Sequence, residues 1–80
     1  MLSTQRVLAS EKRQRFFGHL RATEVLPVYH LIRIARSSAD YHPRVRAAAL
    51  RQLVARAPIE VTHGRPFAER RRLVRSHYGI

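Results

Sequence analysis

The sequence predicts an all-α protein. It reads as a small three-helix bundle, with helices over about residues 23–37, 42–57 and 66–78, behind a basic N-terminal arm that is helical or extended. Three observations carry this. Apolar residues recur at three- and four-residue spacings, as on one face of a helix. No stretch shows the period-two alternation of a half-buried strand. Prolines and glycines fall near the expected segment boundaries, at Gly18, Pro27, Pro43, Pro58, Pro66 and Gly79, where they punctuate helices. Eighty residues allow one domain. The division expected is an arm over 1–21, which reads as an uncleaved targeting segment or a basic surface helix, and a helical domain over 22–80.

A first helical segment is expected from about Ser3 to Phe17, with Val7, Leu8 and Phe16 as its sparse apolar residues and Gly18 just past its end. The second, TEVLPVYHLIRIAR, has Thr23 as the expected N-cap, Glu24 at the positive end of the dipole and Pro27 in or just before the first turn. Val25, Val28, Tyr29, Ile32 and Ala35 form the expected stripe, with Leu31 and Ile34 widening it. The third starts at Pro43 with His42 as cap and Asp40 as a second cap candidate. Val45, Ala49, Leu53 and Ala57 make one line along it, Leu50 and Val54 extend that line, and Pro58 stops the helix. Ile59 to Arg65 reads as a connector turning at Gly64. The fourth segment starts at Pro66, places Phe67, Val74 and Tyr78 on one face, and ends at Gly79.

Charge narrows the function classes. Sixteen basic residues against five acidic ones give a formal net charge of +11, and fifteen of the sixteen are arginine. Self-repulsion at this density opposes compaction unless an anionic partner offsets it, and arginine forks suit carboxylate and phosphate. The chain has no cysteine, and its five histidines lie at least eleven residues apart, so no metal site is expected. No phosphate-binding glycine loop, HExxH run or close carboxylate pair is legible. The expectation is a non-enzymatic protein with no cofactor of its own. No apolar run approaches the ~20 residues of a membrane span.

Two basic features stand out as candidate sites. Arg70, Arg71, Arg72 and Arg75 form a run on the last segment suited to an anionic surface or RNA, with His77 or Tyr78 available to stack. The greasy second segment carries Tyr29, His30, Arg33 and Arg36, and Arg44 and Arg46 follow soon after.

The stretch EVLPVYHLIRIAR…DYHPRVRAAALRQL, about Glu24 to Arg56, resembles the LYR-motif (complex 1 LYR-like) proteins of mitochondria. Val28-Tyr29-His30 stands where that family has Leu-Tyr-Arg, Ile32-Arg33 near its downstream Leu-Arg, and Tyr41 with Arg44 where an aromatic and an arginine introduce its second helix. The sequence departs from the pattern at Val28 and His30, and it has no phenylalanine near Ala55–Ala57. The resemblance implies a helical accessory subunit or assembly factor, most often of a respiratory-chain complex, in the mitochondrial matrix or on the matrix side of the inner membrane. It implies contact with an acidic acyl-carrier protein through Val28, Tyr29, His30, Arg33, Arg36 and Arg44, with the acyl chain on that carrier's phosphopantetheine entering the bundle core along the second segment. The alternative reading is a small Arg-rich mitochondrial ribosomal protein that binds rRNA. If a carrier is the partner, truncating Leu31 or Ile32 is expected to weaken its binding.

Overall fold

The structure is a computed structural model and describes residues 14–80. Among these every regular element is helical. Residues 14–22 form the described part of α1; α2 spans Val28–Arg36, α3 Pro43–Arg56, α4 Ile59–Thr62 and α5 Phe67–Tyr78. The all-α expectation holds. The expected start of the first segment at Ser3, with Val7 and Leu8, and most of the 1–21 arm lie outside the described residues.

The first junction differs from expectation. Gly18 does not end α1, which continues to residue 22. Thr23 is not the N-cap of α2 but the lock that closes α1. Its N–H donates to the His19 carbonyl (3.3 Å) and its hydroxyl to the Leu20 carbonyl (2.7 Å). The Glu24 N–H donates to the Arg21 carbonyl, and the Val25 and Leu26 N–H groups donate to the Ala22 carbonyl. All four carbonyls that a helix end leaves without partners are thus satisfied within one turn. That explains why Thr23 is buried while Val25, expected on the apolar stripe, stands 81% exposed outside any helix. Pro27 takes the N-cap position of α2 with extended backbone and no side-chain cap bond. Glu24 therefore lies outside the first turn.

The second junction matches the sequence closely. His42 caps α3, its Nδ1 accepting from the Arg44 N–H at 3.1 Å, and Pro43 occupies N1. Asp40 does not cap; its N–H donates to the Ser37 hydroxyl and tightens the loop. The connector after Pro58 contains one helical turn, α4, before Gly64, whose φ of +72° suits the residue without a Cβ. Pro66 is the N-cap of α5, one position earlier than N1, and Gly79 ends it in the left-handed region at φ +67°.

The core is thin and central. Leu31 and Ile34 of α2, Val45, Ala49, Leu53 and Val54 of α3, and Val74 of α5 form one buried cluster. Fully burying a side chain of the size of Leu31 or Leu53 contributes roughly 1.5–3 kcal/mol. Phe16 and Leu20 of α1 pack on its edge, as do Tyr41, Leu50, Val61 and Tyr78. The α2–α3 pair is the main interface, and α5 packs on α3 and α4. Tyr29, expected on the apolar stripe, is 66% exposed, and Phe67, expected on one face with Val74 and Tyr78, is 53% exposed.

Candidate functional site

Helix α2 separates its residues by face. With 3.6 residues per turn, Leu31 and Ile34 share one side and enter the core. Tyr29, His30, Arg33 and Arg36 are exposed on the remainder. Tyr29 and Arg33 are four residues apart and so are surface neighbours. The Arg33 guanidinium carbon lies 5.9 Å from the centroid of the Tyr29 ring, within cation–π range, where an exposed pair is worth about 0.5–1 kcal/mol. The His30 ring stands edge-on to Tyr29 at 5.6 Å. The outcome is a contiguous aromatic and cationic surface held by one helix.

Beside it runs an open groove of about 730 Å³. Its apolar lining comes from Leu26, Ile34 and Tyr41, and its basic lining from His30, Arg33 and Arg36. Asp40 is the one acid along it. Such a surface suits a partner that is acidic outside and offers an apolar group, because the cations attract and the apolar floor removes carbon from water.

The other expected residues are placed as follows. Val28 is half-buried and packs against the core, away from the Tyr29 surface. Arg44 is exposed in the first turn of α3 and does not line the groove. Leu31 is wholly buried, so its truncation perturbs folding as well as any partner contact; Ile32 is half-buried at the core edge.

On α5 the arginine run divides. The Arg70 Nε donates to the Arg65 carbonyl at 2.5 Å. Arg72 lies 3.8 Å from a Glu69 oxygen that Arg65 approaches to 3.0 Å. Arg71 and Arg75 instead face a second, smaller groove together with Arg46 of α3. Tyr78 packs half-buried against the core while His77 is exposed. Among the described residues the only ion pairs are those of Glu69, with Arg65 and Arg72.

Two arginines have roles that the sequence did not signal. Arg56, at the end of α3, reaches back to the α1–α2 turn. Its Nη1 donates to the Leu26 carbonyl, and its Nη2 donates to the Glu24 carbonyl at 2.6 Å and the Thr23 carbonyl at 3.4 Å. Arg46 donates from Nη1 to the Ser37 carbonyl at 3.0 Å, past the end of α2. A cation near a helix C-terminus ordinarily reads as a partner for its own helix dipole, and nothing local reveals a bond thirty residues away.

Among the described residues no three histidine or acidic side chains gather as metal ligands. No described helix is long and apolar enough to cross a membrane. Comparison with known proteins finds no matching family model, no similar curated protein and no similar solved structure.

Proposed function

We propose that the chain is a non-enzymatic, basic accessory subunit of a large mitochondrial assembly, in a respiratory-chain complex, and that α2 contacts an acyl-carrier protein. The observation that carries this reading is the outward face of α2, where exposed Tyr29 joins His30, Arg33 and Arg36 beside a groove with an apolar floor. An acidic carrier meets the cations, and its acyl group finds Leu26, Ile34 and Tyr41. The resemblance of Val28-Tyr29-His30 and its flanks to the LYR pattern supports the same assignment, and Arg44 joins the contact as the arginine that introduces α3.

The test is an affinity purification from mitochondria, divided in two, with one half treated with ribonuclease before mass spectrometry. Recovery of an acyl-carrier protein and respiratory subunits in both halves is the expected result. Recovery of ribosomal proteins that scatter after ribonuclease sinks the reading. It would favour the second one, a mitochondrial ribosomal protein on rRNA, for which the large surplus of arginines over acidic residues speaks. That reading also demands a steep loss of affinity with salt, since each neutralised phosphate adds to the slope.

A further inference from the structure

We propose that the groove where α2, α3 and α5 meet is a binding site for a single phosphate monoester group, held by Arg46, Arg71 and Arg75. It shares no residue with the α2 face and stands independently of the function proposed for that face.

The groove measures about 260 Å³, enough for one phosphate and a few further atoms. Arg71 and Arg75 are one turn apart on α5, hence neighbours on its surface, and both line it with Arg46. Arg46 is already held: its Nη1 bonds the Ser37 carbonyl, and its Nε is buried with no hydrogen-bond partner. A guanidinium fixed in this way loses little freedom when its remaining Nη2 meets an anion. None of the three meets a carboxylate among the described residues. Three like charges around one small concavity repel one another until an anion enters.

The geometry also selects the anion. Each guanidinium presents a planar fork of donors. Arg71 and Arg75 offer two such forks and Arg46 its remaining Nη2, a set that suits the three terminal oxygens of a phosphate monoester better than the two of a carboxylate. The small side chains Ala35 and Ala47 leave the space open, and Leu50 and Ile80 give the organic part of the ligand an apolar wall. A backbone-tracking RNA surface fits less well, because only Arg71 and Arg75 of the α5 run line the groove, while Arg70 bonds the Arg65 carbonyl. The phosphate could be that of a soluble monoester or the headgroup of phosphatidic acid; the chemistry at the arginines is the same.

The experiment uses the full chain and follows helicity by circular dichroism through thermal unfolding, in inorganic phosphate against chloride at equal ionic strength. Phosphate is expected to raise the unfolding midpoint, or to induce helix if the chain is partly unfolded without it. The double variant Arg71→Gln/Arg75→Gln is expected to weaken the apparent phosphate affinity by about tenfold or more. Arg21→Gln/Arg51→Gln, with the same change in net charge, is expected to leave it within about twofold. Vesicles of phosphatidylcholine carrying phosphatidic acid, set against vesicles carrying equal charge as phosphatidylserine, assign the source. Selective, Arg71- and Arg75-dependent binding to phosphatidic acid identifies a headgroup, and a response confined to soluble phosphate identifies a free monoester. The proposal is overturned if phosphate and chloride behave alike, or if both double variants lose affinity equally. It is also overturned if a single-stranded RNA oligonucleotide binds while inorganic phosphate does not compete for the groove.

Discussion

Replacing Arg56 by glutamine removes the clamp between the end of α3 and the α1–α2 turn. The side chain makes two close charge-assisted bonds, to the Leu26 and Glu24 carbonyls, and a third marginal one to Thr23. Hydrogen bonds to a charged group contribute about 1.5–3 kcal/mol each when buried. Arg56 is exposed, and water replaces part of what is lost. Roughly 0.5–1 kcal/mol for each of the two close bonds is the better figure, giving about 1–2 kcal/mol in all. At about 4–8 °C per kcal/mol for a domain of this size, the thermal midpoint falls by about 4–16 °C. Arg56→Lys keeps the charge but not the fork, so it retains only part of the stability. Hydrogen exchange should localise the effect, with the Val25 and Leu26 amides, bonded to the Ala22 carbonyl, losing protection before those of α3. If Arg56→Gln shifts the midpoint no more than the exposed control Arg51→Gln, or if exchange rises uniformly, the clamp is not what holds α1 to the bundle.

Other perturbations separate folding from binding. Leu31→Ala empties a fully buried position and should cost about 2–5 kcal/mol in denaturant unfolding. Tyr29→Ala, on the exposed face, should change stability by less than about 0.5 kcal/mol, yet reduce recovery of the carrier protein in the affinity purification; normal recovery would remove Tyr29 from the contact. His42→Ala deletes the α3 cap and its edge contact with Phe16, at 4.8 Å between ring centres. A loss of about 0.5–2 kcal/mol is expected, and His42→Asn should restore much of it; no difference between the two variants would show that the cap bond adds nothing. Gly79→Ala forces a side chain into the left-handed region at the end of α5. It should destabilise by about 1 kcal/mol on thermal unfolding.

Legibility followed the range of the interactions. The α3 start was readable because its determinants are adjacent: Pro43 has no N–H to lose at N1, and His42 needs to reach only two residues ahead. The line Val45, Ala49, Leu53 was readable because helical period alone puts these residues on one face, and all three are buried. The α1–α2 junction is ambiguous in sequence because Thr23 followed by Glu24 suits an N-cap as well as a C-terminal turn. The choice between them depends on whether the threonine hydroxyl faces forward or back. It faces back, to Leu20, in a turn that Arg56 holds from a distant helix. The exposure of Tyr29 has a related cause. A stripe drawn through Val25, Val28 and Tyr29 assumes that the helix already includes residue 25, whereas it begins at Val28, and the face that meets α3 is the one carrying Leu31 and Ile34.

Composition and periodicity were enough to establish a helical, cationic chain without a thiol site, because helix formation, turn punctuation and net charge depend on residues near one another or on plain counts. The same information located the arginines along the helices but not their partners. Which cation clamps a turn, which pairs with Glu69, and which three converge on one groove depends on how α3 and α5 pack. Their side chains meet groups that the chain brings together only once the core of Leu31, Val45, Leu53 and Val74 has closed.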